Sequence, residues 1–269
     1  MKERKNKLGN NLIVLDCTLR DGGYYTGWNF EAELVSDYIK HISSAGIDKV
    51  ELGLRNFCGS NSNGPFFYTT DEFLESLELP KTTEFGVMIN AKAILNSELS
   101  IESAVLTLFQ MREKSSISFV RVACHISEAV DAYPIVASLK KLGYKVGLNL
   151  MQISLYDDLR VANIVAKVGR WNEVDVLYFA DSLGNMNPTS VANIVNIIKS
   201  RSDLEIGFHA HNNMGLALAN CNSAIQLGVS WIDATIQGMG RGAGNLATEI
   251  LLADLSSDCS QKYKTNEVN

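Results

Sequence analysis

The sequence has no CxxC pair, and its five cysteines (Cys17, Cys58, Cys124, Cys221 and Cys259) are odd in number and widely scattered. That excludes a disulfide framework and predicts a reduced, cytoplasmic setting. Long apolar runs are missing as well. The first, Leu12 to Leu15, stops at Asp16 and is too short for a signal peptide. The longest uncharged stretch, Ile206 to Ile232, carries two His, four Asn, one Gln and two Ser. No bilayer accepts that polar load, so no membrane association is expected. Positive charge is in deficit: 24 Lys and Arg against 30 Asp and Glu leave a net charge of −6, which argues against non-specific nucleic-acid binding. Only the start is basic. Lys2, Arg4, Lys5 and Lys7 predict a solvated arm over residues 1–10, ahead of one unit spanning 11–257 and a polar tail at 258–269. No linker, repeat or low-complexity segment divides that unit.

A chain of 269 residues, 46% apolar and 20% charged, can bury a large core without staples, and is neither disordered nor fibrous. Strand-like runs occur at Asn11–Leu19, Lys49–Leu54, Glu84–Asn90, Ser118–His125, Lys145–Gln152, Asp175–Ser182, Glu205–His211 and Trp231–Gly238. A helix-like stretch follows each: Glu31–Ser44, Asp71–Leu77, Ile101–Lys114, Ala129–Leu142, Leu155–Lys167, Thr189–Arg201, Gly215–Leu227 and Asn245–Leu255. Alternation of this kind implies a parallel sheet, and eight units predict a single-domain (β/α)8 TIM barrel rather than an open doubly wound sheet. Period-2 alternation sorts the strand faces. Ile206, Phe208 and Ala210 share an apolar face that packs under helices, whereas Gly207, His209 and His211 face the barrel axis. Arg121, Glu51, Asn149 and Asp233 fall on the same inward side of their strands. A barrel core is normally filled with branched apolar side chains, so a polar interior needs a cause, such as a metal or an anionic substrate.

His209 and His211, two apart at a strand end, point the same way and can grip one cation; the bland alternative is a hydrogen-bonded interior pair. Arg20-Asp21-Gly22-Gly23 after the first strand offers a carboxylate ligand and an anion clamp on a turn of close backbone approach, or merely a turn. The loop Gly238-Met239-Gly240-Arg241-Gly242-Ala243-Gly244-Asn245 reads in three ways. It is a phosphate cradle, a flexible loop with Asn245 as helix N-cap, or a cover that lends the Asn245 amide oxygen to a metal. Inward-facing Glu51 wants a cation, and Arg20 is the natural one. His125 is either a satisfied interior histidine or a substrate contact, and Asp181-Ser182 either bind a carboxylate or form a turn. Tyr24 and Tyr25 follow the glycines; near a metal, a tyrosine can serve as acid or base. The loop from Arg55 to Thr70 sits on the C-terminal rim, where barrel enzymes do chemistry.

Together, Asp16-Cys17-Thr18-Leu19-Arg20-Asp21-Gly22, His209-Ala210-His211-Asn212 and Gly244-Asn245-Leu246-Ala247-Thr248-Glu249 resemble the DRE-TIM metallolyases (HMG-CoA lyase-like) from Leu15 to about Leu255. Within that superfamily, Val120-Arg121-Val122-Ala123-Cys124-His125 and Tyr178-Phe179-Ala180-Asp181-Ser182 are similar to segments of the 4-hydroxy-2-oxovalerate aldolases. The resemblance implies a divalent metal, Mn2+ or Mg2+, on Asp21, His209 and His211, with Asn245 as a further ligand. It implies that Arg20 stabilises an enolate, that Ser182 holds the substrate carboxylate and that Glu51 supports the site. The aldolases keep a catalytic histidine three residues beyond the metal aspartate, where this chain has Tyr24, which makes Tyr24 the candidate base. The implied activity is a metal-dependent carbon–carbon lyase acting on a small 2-oxo acid through a pyruvate enolate. The alternative is an acyl-CoA lyase or Claisen-type synthase on the same barrel. The aldolases' C-terminal extension, which docks an aldehyde dehydrogenase, has no counterpart here, so no such partner is implied; a homo-oligomer remains compatible.

Overall fold

Eight short segments rich in Val, Ile, Leu and Phe form the strands: β1 (Ile13–Asp16), β2 (Lys49–Leu54), β3 (Glu84–Asn90), β4 (Phe119–His125), β5 (Lys145–Met151), β6 (Val176–Asp181), β7 (Glu205–Ala210) and β8 (Trp231–Ala234). They pair in parallel, in chain order, and β8 closes on β1 to give the expected (β/α)8 barrel. The computed structural model describes residues 12–59, 63–257 and 262–268, so the basic arm and Cys259 lie outside the described residues. Among the described residues no helix is long and apolar enough to cross a membrane.

Helices α1 (Thr18–Thr26), α2 (Ala32–Ser44), α3 (Pro65–Tyr68), α4 (Asp71–Glu75), α5 (Ala91–Leu95), α6 (Ile101–Leu108), α7 (Tyr133–Lys141), α8 (Asp158–Val168), α9 (Pro188–Arg201), α10 (Ala217–Gln226) and α11 (Thr248–Ser257) surround the strands. Their apolar spacing turns one stripe inward, as Val35, Ile39 and Ile42 do on α2 and Val161, Val165 and Val168 on α8. Helix starts are chemically marked. The Asp157 side chain accepts from Arg160 N, and Asn187 forms a capping box with Ser190 ahead of Pro188. The outward strand residues Val120, Val122, Leu148, Leu150 and Phe208 join these helices in the main core. Inside the barrel, Leu15, Phe119, Val176, Tyr178 and Trp231 form a separate apolar plug towards the N-terminal end of the strands.

Local structure departs from expectation at several places, the strand expected over Trp231–Gly238 ending at Ala234 and the helix expected over Ile101–Lys114 at Leu108 among them. The strand predicted over Asn11–Leu19 ends at Asp16, because the buried Asp16 carboxylate captures Thr18 through its backbone N (2.9 Å) and Oγ1 (2.6 Å), which turns the chain into α1. Asp16 also accepts from Tyr38 and Thr248 (2.6 Å each), which ties α2 and α11 to the same point. Gly22 and Gly23 are helical, so they make no turn. They are small because a Cβ would lie 2.2 Å from Met239 Sδ at position 22 and 2.1 Å from the Trp28 ring at position 23. The last helix starts at Thr248, not Asn245, which stays in the loop with its backbone N donating to Gly238 O. Part of the expected tail is seated: Tyr263 is buried, and Lys262 and Tyr263 bind Asp48 at 2.7 and 3.1 Å.

The plug depends on missing side chains. A Cβ on Gly207 would stand 2.3 Å from the Tyr178 ring, among fully buried neighbours with nowhere to move. Gly207→Ala is therefore expected to destabilise the fold by about 1–3 kcal/mol, the usual cost of overpacking a core. Thermal unfolding checks this, and an unchanged midpoint would mean that the interior is loosely packed.

Candidate active site

α1 and β7 bring residues from opposite ends of the chain to the C-terminal mouth of the barrel. α1 delivers Arg20 and Asp21, both buried; β7 delivers His209, and His211 follows it. His209 Nε2 lies 3.4 Å from Asp21 Oδ2, and the two imidazole centroids are 5.2 Å apart. The glycine loop folds down over this group. His211 pairs with Asn245 in an isolated bridge, and Asn245 Nδ2 donates to Asp21 Oδ2 at 2.7 Å.

A closed circuit of charge lies beneath. Arg20 Nη1 donates to Asp21 Oδ1, and Arg20 Nε to Glu51 Oε1 at 2.7 Å. Arg121 grips the same Glu51 through Nε (2.7 Å) and Nη2 (2.8 Å), and reaches Asp233 Oδ2 through Nη1 at 2.5 Å. Asp233 Oδ2 is also 2.9 Å from His209 Nδ1, and His209 Nε2 faces Asp21, which closes the circuit. Burial opposes ionisation of both aspartates, yet each is held below the usual carboxylate range. Arg20 does this for Asp21, helped by the Asn245 hydrogen bond, and Arg121 does it for Asp233, helped by the His209 hydrogen bond. Burial likewise opposes the Arg20 charge, but Asp21 and Glu51 raise its pKa. Arg20 is thus the partner expected for Glu51. Glu51 is fully buried, lies off the cavity wall and has both oxygens taken by arginines, so its part in the site is to position Arg20. Arg121 and Asp233 were visible in the sequence only as polar residues on inward faces.

Which atoms would hold a metal differs in one respect from the expected trio. Cys17 Sγ, Asp21 and His209 place ligand atoms within 4.8 Å of one another, so Cys17, which was not anticipated, stands in this close group where His211 was expected. Cys17 sits 3.7 Å from Asp21 Oδ2 and 3.5 Å from Ala234 O, a donor's position, and burial pushes its thiol well above the ordinary range. Ligation needs a thiolate, so Cys17 serves better as a hydrogen-bond donor that orients Asp21. Burial first, and the neighbouring His209 second, push His211 down to about 3, which keeps its imidazole neutral, the form that ligates. Asn245 Oδ1 is buried with no hydrogen-bond partner. An ionised carboxylate, a neutral imidazole and an orphaned amide oxygen fit a divalent cation of the Mg2+ or Mn2+ kind.

A cavity of about 430 Å3 opens above, walled by Arg20, His209, His211, Asn149, Ser182 and Tyr24 among others. Two of its buried polar atoms, Arg20 Nη2 and Asn149 Oδ1, have no partner. Ser182 Oγ accepts from Gln152 N at 2.9 Å, which leaves its hydroxyl hydrogen free to donate. Tyr24 lies edge-on to Trp28, and the Arg241 guanidinium sits 4.7 Å over its ring. Tyr25 turns to the loop instead, donating to Gly240 O at 2.5 Å. His125 ends β4 half-buried, with its backbone N on Glu128 Oε2, and does not wall the cavity. Asn149 was passed over because a lone asparagine on an inward face carries no motif.

The profile of the HMGL-like family matches residues 77–268. The chain is 31% identical to a 4-hydroxy-2-oxovalerate aldolase of Carboxydothermus hydrogenoformans, over 93% of this chain and 72% of that protein. It is 29% identical to an oxaloacetate decarboxylase of Mycobacterium tuberculosis, over 90% of this chain and 69% of the relative. Among solved structures, the N-terminal domain of a candidate aldolase from Bacteroides vulgatus superposes with a TM-score of 0.83 at 33% identity, covering 96% of this chain and 83% of that one. A buried Asp–His cluster at the C-terminal mouth of a closed barrel, seen alongside these matches, makes the chain a member of the HMGL-like family of carbon–carbon lyases.

Proposed function

We propose that this lyase is a divalent-metal-dependent aldolase that cleaves or forms the C3–C4 bond of a 4-hydroxy-2-oxo acid through a pyruvate enolate. The observation that carries the reading is Arg20 Nη2: a buried guanidinium N–H with no protein partner, on the wall of the cavity that also holds His209 and His211. An arginine whose other two arms are fixed by Asp21 and Glu51 keeps its third donor for charge that develops on a substrate oxygen. The relatives' names agree on this point, since aldol cleavage of a 4-hydroxy-2-oxo acid and decarboxylation of oxaloacetate both release the pyruvate enolate.

Asp21, His209 and His211, with Asn245, would hold the Mg2+ or Mn2+, which when bound supplies Lewis-acid polarisation of the 2-oxo group. Arg20 then donates Nη2–H to the enolate oxygen, and Ser182 donates its hydroxyl hydrogen to the substrate carboxylate. Tyr24, on the cavity wall beneath the Arg241 charge, would take the C4 hydroxyl proton on its phenolate oxygen; the C3–C4 electron pair passes into the enolate as the aldehyde leaves, and C3 then takes a proton to give pyruvate.

Pyruvate alone tests the reading, because its methyl protons must exchange if the enolate forms. In deuterated water the metal-loaded protein is expected to wash deuterium into that methyl group, as followed by proton NMR. Chelation should stop the exchange and Mn2+ should restore it, while His209→Ala should lose both metal and exchange. Methyl protons untouched over hours would overturn the proposal. Exchange in an acetyl thioester instead would select the acyl-CoA reading.

A further inference from the structure

The cavity wall is lopsided in charge. Arg20, Lys92 and Arg241 line it and, among the described residues, no carboxylate does, although the chain as a whole carries −6. Arg20 is spent on the deep end. Lys92, in the first turn of α5, and Arg241, in the glycine loop, are exposed at the outer end, and neither pairs with a carboxylate among the described residues. Arg241 is nonetheless held in place. Its guanidinium stacks on Tyr24, the Tyr25 hydroxyl ties the adjacent Gly240 carbonyl at 2.5 Å, and Gly240 packs so closely on Asn245 that a Cβ there would lie 2.5 Å from its Nδ2. The glycine loop, for which a phosphate cradle is one of the three sequence readings, thus presents its one cation at the mouth of the cavity. About 430 Å3 also exceeds the needs of a three-carbon acid and falls in the range that takes larger ligands.

On the aldolase reading above, on which this rests, the 2-oxo acid end fills the deep half of the cavity. We infer that the aldehyde half carries a second anionic group, carboxylate or phosphate, received by Lys92 and Arg241. Two unpaired cations beside low-dielectric walls focus potential at the entrance, and a guanidinium matches the oxygens of either anion. In the synthetic direction the reaction balances without a co-reactant. The pyruvate methyl carbon gives up a proton, its electron pair forms the bond to the aldehyde carbon, and the former carbonyl oxygen takes a proton as the new hydroxyl.

Matched aldehydes with pyruvate test the inference: butanal against succinic semialdehyde for a carboxylate, and glyceraldehyde against its 3-phosphate for a phosphate. The anionic member of at least one pair is expected to react with at least tenfold higher kcat/KM. That margin should shrink as salt rises and collapse in the Lys92→Ala/Arg241→Ala double variant. Which pair shows it identifies the anion. Calorimetry gives a readout without turnover, since 2-oxoadipate should bind more tightly than 2-oxohexanoate, and the double variant should erase the difference. Pyruvate methyl exchange together with equal use of neutral and anionic aldehydes would overturn this inference and leave the aldolase reading standing. Absence of the exchange would overturn both.

Discussion

Arg20→Lys is expected to lower turnover by a factor of about 10²–10³, the scale for removing one preorganised oxyanion donor, with bound metal unchanged. Arg20 uses three directions at once: Nε to Glu51, Nη1 to Asp21, and Nη2 to the cavity. A lysine ammonium is a single point on a flexible stem, and cannot hold two carboxylates while presenting a fixed third donor. The loss should fall on kcat, with KM for the 2-oxo acid little affected, because the interaction strengthens only as charge develops on the oxygen. Steady-state kinetics alongside metal analysis reads both quantities. Turnover within a few-fold of the parent would remove Arg20 from the chemistry.

Arg121→Met is expected to cost about 3–5 kcal/mol of stability, because it strands the buried carboxylates of Glu51 and Asp233. For a chain of this size that corresponds to a drop in melting temperature on the order of 10 °C. Arg121 is 1% exposed and also stacks on Tyr178 at 4.7 Å, so water does not replace it; Arg20 keeps one bond to Glu51 and His209 one to Asp233, but Glu51 Oε2 loses its partner and both carboxylates lose the guanidinium that joins them. The physics of buried ion pairs makes the inverse experiment informative. Arg121→Met combined with Glu51→Gln and Asp233→Asn removes the stranded charge along with its partner and should recover much of the lost stability. Activity should not return, since Arg20 then lacks the Glu51 anchor. A single variant that melts with the parent protein would show that the circuit contributes no net stability.

The order of strands and helices is a local property, and it was legible. Strand residues alternate faces with period two whatever lies across from them, so the inward set of Glu51, Arg121, Asn149, His209 and Asp233 follows from the chain alone. So does the adjacency of Arg20 and Asp21 and the shared direction of His209 and His211. Partners were another matter. Arg121 meets Glu51 across 70 positions, through the register of β2, β3 and β4, and Asp233 across 112, once β8 closes on β1. No local pattern encodes that register, so Arg20 was recognised as a partner for Glu51 while the second arginine, which completes the circuit, was not.

The same division explains the smaller surprises. Asp16 reads as a strand residue, yet its carboxylate captures Thr18 and ends the strand, because Tyr38 and Thr248 arrive from distant helices to share its burial. Gly22-Gly23 reads as a turn because flexibility is what glycine offers locally; in the fold it offers room for Met239 and Trp28. Cys17 falls inside the first-strand signature with no role attached to it, and reaches Asp21 only through the first turn of a helix that the sequence did not predict. The sequence by itself therefore determined the barrel, its polar interior and the residue types at its mouth, since these depend on backbone periodicity and side-chain chemistry. Tertiary structure alone decided which charges pair, which donor on Arg20 stays free and where the glycine loop holds Arg241, since these depend on distances between segments that only closure of the barrel sets.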